Sequence, residues 1–212
     1  MSPRHLHRTL LIVPVLLCAA TVFCQTTPKT NPQTTPQTTP ETTSQPQTPP
    51  SAGPTTAYAD IMNAQGLQIG TATITSAGRG VAIALKLTGL PPGVHGIHIH
   101  SVGKCEVPAF ASAGGHLNPD MKMHGKDNPM GPHAGDLPNF TVDANGISDA
   151  TVTDDHVTLA DGPNSLFHQG GTALVIHAMP DDYKSDPSGN SGARIACGVI
   201  YTHVTPPPTG AK

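Results

Sequence analysis

Tryptophan is absent from this 212-residue chain, and aromatic residues make up only 3% of it. A hydrophobic core must therefore be built from valine, isoleucine, leucine and alanine. Basic residues are also few, since from Ala57 onward there are 8 Lys and Arg against 13 Asp and Glu. A mildly acidic domain with no basic stripe argues against nucleic acid as a partner.

A long apolar run is also missing. The apolar stretch at residues 9–17 is too short for a comfortable transmembrane helix and contains a proline. With Arg4 and Arg8 before it and small residues after it, this stretch is typical of an export signal over residues 1–24. We therefore predict an exported protein (periplasmic, envelope-tethered or secreted) with no transmembrane segment in the mature chain. A lipid anchor on Cys24 is the open alternative at this end.

Cysteine is scarce. Cys18 and Cys24 lie in the export signal, which leaves only Cys105 and Cys197 in the exported part. A single pair in an oxidising compartment is most simply one disulfide. Metal ligation is the competing role, but two isolated cysteines far apart make a poor zinc site. We favour the disulfide.

The remaining chain divides by composition into three parts. Residues 25–56 consist almost entirely of Thr, Pro, Gln, Ser and Asn, which predicts a disordered or polyproline-like tether. A glycosylated stalk is the alternative for this segment. Residues 57–205 have the right length for one domain with a real core, and we expect residues 206–212 to be a flexible tail.

Short alternating segments separated by turn signals predict an all-β domain, an antiparallel sandwich or barrel. The predicted strands are 58–63, 67–75, 80–87, 95–101, 147–153, 172–178 and 195–202. Residues 103–143 differ, because they are rich in Gly, Pro, His, Asn and Asp and show little periodicity. A loop this long is usually functional or held in place by ligands.

One predicted strand carries a histidine pair. Residues 93–100 are Gly-Val-His-Gly-Ile-His-Ile-His. Successive strand side chains point to opposite faces, so His98 and His100 project together, away from the two isoleucines. Two neutral imidazoles on a rigid strand are good ligands for copper, zinc or nickel. The alternative is a pair of solvated or structural histidines.

The long loop carries a second set of candidate ligands. It contains His116, His124 and His133, and Asp136 follows three residues after the last of them. Three imidazoles and a carboxylate are a complete four-coordinate set for zinc that leaves no position for water, as in sites that organise a loop. His177, at the end of an apolar strand, is a further candidate ligand.

Taken together, these segments closely resemble copper/zinc superoxide dismutases, from about Ala57 to His203. The resemblance implies a Greek-key antiparallel β-barrel with long metal-binding and electrostatic loops. It rests on five segments in the family's order: Gly-Val-His-Gly-Ile-His-Ile-His (93–100), Ala-Gly-Gly-His-Leu-Asn-Pro (113–119), Gly-Pro-His-Ala-Gly-Asp-Leu-Pro-Asn (131–139), Ala-Leu-Val-Ile-His-Ala (173–178) and Gly-Ala-Arg-Ile-Ala-Cys-Gly-Val-Ile (192–200).

The resemblance implies two metal sites that share one ligand. The implied copper ligands are His98, His100, His116 and His177. The implied zinc ligands are His116, His124, His133 and Asp136. His116 would bridge the two metals as an imidazolate, which is reasonable because two cations on one ring favour loss of its second proton.

The resemblance also implies roles around the metals. Asp181 is expected to hydrogen-bond one ligand of each metal, His98 and His124. Arg194 is expected beside the copper, where a permanent cation attracts a small anion. Lys184 either adds to that field or is a solvated loop lysine.

The remaining histidines are expected to be structural or peripheral. His95 is expected to tie loops together through backbone hydrogen bonds, and His156, His168 and His203 to be surface or edge residues. The sequon at Asn139 is discounted as a glycosylation site because it lies beside the zinc loop.

The function implied by the resemblance is dismutation of superoxide to oxygen and hydrogen peroxide. Copper would cycle between Cu(II) and Cu(I), zinc would be structural, and His116 would deliver a proton. The alternatives are a non-catalytic exported copper/zinc-binding domain and a surface adhesion module on a stalk. Short loops before His116 and before Arg194 leave homodimerisation open.

Overall fold

The structure is a computed structural model that describes residues 53–202. These residues form nine strands and one 3-10 turn at Ala111–Ala113. The strands are β1 (Thr56–Asn63), β2 (Gln68–Ala77), β3 (Gly80–Thr88), β4 (Gly93–His95), β5 (Ile97–His100), β6 (Phe140–Val142), β7 (Ile147–Asp154), β8 (Ala173–His177) and β9 (Arg194–Val199).

The export signal, Cys24, nearly all of the tether, His203 and the tail lie outside the described residues, and the statements about them stay predictions. Within residues 53–202, helices long and apolar enough to cross a membrane are absent.

All pairings between these strands are antiparallel. Seven strands form one sheet in the order β5-β8-β9-β1-β2-β3-β7, and β4 pairs with β6 in a second sheet. The return of β9 to lie beside β1, after the β1-β2-β3 meander, is Greek-key topology.

The two sheets join into a ring. Gly96 links β4 directly to β5, and the turn at 143–146 links β6 to β7. The hydroxyl of Ser148 on β7 also donates to the carbonyl of Thr141 on β6, at 2.9 Å. The predicted Greek-key barrel is confirmed.

The core is aliphatic, as the composition predicts. Along β3, Val81, Ile83, Leu85 and Leu87 are buried on one face, because alternate side chains of a strand point the same way. The register places Ile83 opposite Ile74 of β2 and Val152 of β7, which extends the apolar layer across three strands.

Two elements differ from the sequence prediction. Residues 95–101 do not form one continuous strand, because the strand is interrupted at Gly96. The amide of Gly96 donates to the carbonyl of Met179 (2.8 Å), its carbonyl accepts the amide of His177 (2.9 Å), and a Cβ there would lie 3.0 Å from that of Ser191. The second difference is β6, which lies inside the predicted loop 103–143 and is too short to show periodicity.

The predicted disulfide between Cys105 and Cys197 is confirmed, with the two Cα atoms 5.7 Å apart. It attaches the segment that precedes the 3-10 turn to β9, whose Cys197 is fully buried.

Candidate metal centre

Strand β5 positions the histidine pair. It is an end strand of the seven-stranded sheet, and isolated antiparallel bridges pair His98 with Asp136 and His100 with His116 on its free edge. The isoleucines of β5 face the core while the histidines are covered by the long loop, so all four residues are buried. The backbone therefore brings the predicted zinc loop directly against the predicted copper ligands.

Four histidines from β5, the long loop and β8 converge. One ring nitrogen from each of His98, His100, His116 and His177 lies within 4.8 Å of the others. The atoms that remain buried without a hydrogen-bond partner are Nδ1 of His98 and Nε2 of the other three. A buried polar atom without a partner costs about 1–3 kcal/mol. Four such atoms at one point fit a metal ion that accepts imidazole ligands.

The opposite ring nitrogen of His116 faces Asp136, and in the other three histidines it is hydrogen-bonded, which fixes the tautomer and turns the free lone pair toward the cluster. The acceptors are Oδ2 of Asp181 for Nε2 of His98 (2.7 Å), the carbonyl of Gly114 for Nδ1 of His100 (2.9 Å) and the carbonyl of Gly192 for Nδ1 of His177 (3.2 Å).

A second cluster forms around Asp136. The Nδ1 atoms of His116, His124 and His133 lie 2.8, 3.0 and 3.2 Å from its Oδ1. Its other oxygen accepts the amides of Gly125 (2.8 Å) and His133 (2.9 Å), which orients the carboxylate. This His₃Asp set matches the donors of a closed zinc site.

His116 belongs to both clusters. Its Nδ1 points into the His₃Asp set and its Nε2 into the four-histidine set. One ring is therefore placed to bridge two metal ions.

Asp181 also connects the clusters. Its Oδ2 contacts Nε2 of His98 at 2.7 Å, and its Oδ1 contacts Nε2 of His124 at 3.0 Å. Asn139 fixes its backbone by donating to its carbonyl (2.9 Å) and accepting its amide (2.8 Å). The side chain of Asn139 is thus engaged on both sides, which supports discounting the sequon.

Arg194 lies at the mouth of the four-histidine cluster. It lines a cavity of about 380 Å³ together with His100, His116 and His177. Its Nη1 donates to the carbonyl of Phe110 (2.7 Å) and its Nη2 to that of Gly114 (2.6 Å). Among the described residues that line this cavity, Arg194 is the only permanent cation.

The family model for copper/zinc superoxide dismutase matches residues 68–200, a span that includes every predicted metal ligand. The chain belongs to the copper/zinc superoxide dismutase family. The family predicted from the five sequence segments is thereby confirmed, and with it copper and zinc as the metals that the family uses.

Named relatives agree with this assignment. Superoxide dismutase [Cu-Zn] 1 of Aquifex aeolicus (strain VF5) is 54% identical over 145 residues, covering 68% of this chain and 86% of that one. The superoxide dismutase [Cu-Zn] of Caulobacter vibrioides is 41% identical over 148 residues, covering 68% and 85%.

Solved structures show the same fold. A SOD-like protein from Bacillus subtilis gives a TM-score of 0.64 at 41% identity, covering 67% of this chain and 96% of that one. The Cu/Zn superoxide dismutase from Brucella abortus gives a TM-score of 0.57 at 28% identity, covering 69% and 99%.

The electrostatics of the clustered histidines suit a copper/zinc superoxide dismutase. Burial lowers the pKa of His98, and it lowers the pKa of His100 to about 2 and of His116 and His177 to about 4. These four rings are therefore neutral at physiological pH, as metal ligands must be.

His124 behaves differently. Burial lowers its pKa, but hydrogen bonds to Asp136 and Asp181 outweigh burial and raise it to about 9. The same hydrogen bonds hold the pKa of both carboxyl groups below the ordinary value, although burial opposes this. Because imidazole binds metals through a deprotonated nitrogen, a metal ion at Nδ1 of His124 would compete with a proton.

The structure also describes three of the histidines predicted to be structural or peripheral, and Lys184. His95 bridges the carbonyls of Pro91 and His177, both at 2.8 Å, as expected for a residue that ties loops together. His156 is exposed, and His168 is half-buried beside a separate cavity. Lys184 is exposed and does not line the mouth cavity.

Sequence reasoning missed the backbone partners of the site. The carbonyls of Phe110, Gly114 and Gly192 hold Arg194 and two copper-side histidines. Such contacts leave no side-chain pattern, because any residue provides a carbonyl. Asn139 was noticed only as a sequon, although its place in the Leu-Pro-Asn end of the zinc segment was a usable signal.

Proposed function

We propose that this protein converts two superoxide anions and two protons into oxygen and hydrogen peroxide. Copper would be bound by His98, His100, His116 and His177, and zinc by His116, His124, His133 and Asp136. The observation that carries the proposal is the set of four buried, unpartnered imidazole nitrogens that shares one ring with a closed His₃Asp set. Bound copper supplies the Cu(II)/Cu(I) couple that takes an electron from one superoxide and gives it to the next.

His116 would handle one of the protons. Its Nε2 is buried, lacks a hydrogen-bond partner and belongs to a ring that lines the mouth cavity. This atom can hold a proton and pass it to reduced superoxide, while Nδ1 keeps the ring anchored at the zinc side. The second proton comes from solvent.

Arg194 would collect the substrate. Its two bonds to backbone carbonyls hold the guanidinium at the cavity mouth and leave further N–H groups free. A fixed cation beside neutral imidazoles raises the local concentration of a small anion.

We also propose export, to the periplasm, the cell envelope or the medium. The export-signal pattern of residues 1–24 and the Cys105–Cys197 disulfide support it, because disulfides persist in oxidising compartments. Homodimerisation stays a prediction, and sedimentation of the purified protein measures it.

Superoxide decay after pulse radiolysis tests the activity. The purified protein is loaded with zinc and then titrated with copper. We expect a first-order decay rate that rises linearly with copper and levels off near one equivalent. Copper that binds at this ratio while decay stays at the uncatalysed rate would support the non-catalytic metal-binding alternative.

His98→Ala tests the copper assignment. The change removes one of the four unpartnered nitrogens but none of the His₃Asp donors, so we expect loss of copper binding and activity with zinc retained. His156→Ala is the matched control, because that imidazole is exposed and does not belong to either cluster. Turnover retained by His98→Ala would remove this histidine from the copper site.

A further inference from the structure

His133 is the one ligand histidine whose outward ring nitrogen lacks a hydrogen bond within the described residues. The outward nitrogens of His98 and His124 contact Asp181, and those of His100 and His177 contact backbone carbonyls. His116 presents both nitrogens to the two clusters. The Nδ1 of His133 points at Asp136, so its Nε2 is the outward nitrogen.

A carboxylate lies opposite that nitrogen. Oδ1 of Asp186 is 3.9 Å from Nε2 of His133. This distance is too long for a direct hydrogen bond. A movement of about 1 Å would bring the pair into direct hydrogen-bond range.

Asp186 is already attached to the zinc loop. The same Oδ1 accepts the backbone amide of His124 at 2.7 Å. The side chain of Asp186 is 38% exposed, while that of His133 is 8% exposed. One carboxylate oxygen thus faces two consecutive ligands of the His₃Asp set.

We propose that Asp186 is a positioning residue of the zinc site. Its carboxylate accepts a hydrogen bond from Nε2–H of His133 when Nδ1 of His133 binds zinc. Ligating histidines almost always donate their other N–H to a carboxylate, a carbonyl or water, which fixes the ring and raises its basicity. Asp186 gives His133 the contact that Asp181, five residues earlier on the same loop, gives His98 and His124. The inference rests on the proposed zinc ligands.

Asp186→Asn tests the role in the full protein. The amide oxygen still accepts the His124 amide, but the negative charge that favours the Nε2 proton of His133 is lost. Asp127→Asn is the matched control: it removes a nearby charge from the zinc loop, and the Asp127 carboxylate forms no hydrogen bond with the described residues. Asp186→Ala additionally removes the acceptor for His124.

Zinc affinity, measured by competition with a chelator, is the main readout. We expect a fall of about tenfold for Asp186→Asn and no change for Asp127→Asn, at equal melting temperature of the metal-free proteins. The absorption spectrum of the cobalt-substituted protein should also change in Asp186→Asn, since the His133 ring is less firmly oriented.

If Asp186→Asn binds zinc and cobalt as the Asp127→Asn control does, the positioning role is wrong. If in addition only Asp186→Ala is impaired, Asp186 merely holds the loop through His124. Failure of the proposed function gives a different result, because His133→Ala would then leave zinc binding unchanged in the otherwise normal protein.

Discussion

Arg194 is permanently charged and is held in a fixed position at the cavity mouth, so reversing its charge should repel the substrate. For Arg194→Glu we expect superoxide capture to slow at least about tenfold at low salt. Added salt should then leave the rate unchanged or raise it, because screening weakens a repulsion. Pulse radiolysis over a range of ionic strengths measures both effects.

The control for Arg194→Glu is Arg79→Glu, which makes the same charge change at an exposed position on the β2–β3 turn. Equal rates and equal salt dependence in the two variants would show that net charge matters and that Arg194 has no local role.

The loop between β8 and β9 depends on one glycine. Gly189 has a φ of +63°, and a Cβ there would overlap Oδ1 of Asp181 and lie 2.7 Å from Nε2 of His124. We expect Gly189→Ala to displace the carboxylate that links the two clusters and to weaken copper and zinc binding at least about tenfold.

Gly78→Ala is the control that distinguishes the effect of this clash from the effect of backbone strain. Gly78 has a φ of +59°, and a Cβ there would meet nothing within 4 Å. Both variants place a side chain in the left-handed region, so we expect each to lose about 1 kcal/mol of stability from backbone strain, and Gly189→Ala to lose more because of its clash. Chelator competition should show a metal defect only in Gly189→Ala. Normal affinities there would mean that Asp181 is not needed in its present place.

The end of β7 carries a buried carboxylate, Asp154. Burial raises its pKa to about 6, against contacts with His156 that lower it. The folded protein therefore binds more protons than the unfolded chain between pH 3.8 and about 6. The resulting stabilisation is fully present below pH 3.8, the pKa of this carboxyl group in the unfolded chain, and is lost as the pH rises through about 6.

Asp154→Asn cannot titrate, so it should gain stability relative to the parent protein as the pH rises. Between pH 5 and pH 8 we expect this relative gain to be about 1.5 kcal/mol. Denaturant unfolding at the two pH values measures it, with Asp155→Asn as the exposed control. If the difference in unfolding free energy between Asp154→Asn and the parent protein does not change with pH, Asp154 has the same pKa in the folded and unfolded states.

The sequence predicted elements whose pattern is long and regular. β2, β3 and β7 alternate over eight to ten residues, and each was predicted to within two residues of its observed ends. β6 has only three residues, and the break at Gly96 depends on contacts with Met179 and Ser191, which are distant in sequence.

The candidate site was predictable for a related reason. Metal ligands must be particular side chains at particular places, so His98, His116 and Asp136 stand out in the sequence. Asp186 does not, because its importance depends on the distance to His133, which only the fold determines.

For the whole domain, the barrel and the loop contribute differently to the two metal sites. Three copper-side histidines lie on strands, His98 and His100 on β5 and His177 on β8, so the barrel alone fixes their backbones. All four zinc-side ligands lie on the long loop. The copper-side histidines are therefore positioned mainly by the core, whereas the zinc-side residues depend on contacts within the loop, such as the amides of Gly125 and His133 that donate to Asp136.

The Cys105–Cys197 disulfide links these two parts of the domain, since it fastens the start of the loop to β9. It closes a span of 92 residues, for which the chain-entropy model gives about 4.6 kcal/mol of stabilisation. The loop that it fastens contains Phe110 and Gly114, whose carbonyls hold Arg194. Reduction should therefore lower the free energy of unfolding by about this amount and also slow superoxide capture at low salt.

Denaturant unfolding and pulse radiolysis with and without a thiol reductant measure the two effects. The control is the Cys105→Ser/Cys197→Ser double variant, which should resemble the reduced protein and no longer respond to the reductant. Lower stability with an unchanged rate of capture would mean that the carbonyls of Phe110 and Gly114 keep Arg194 in place without the disulfide. An unchanged unfolding midpoint in the reduced protein would instead place the stability of this domain in the barrel core and the metals.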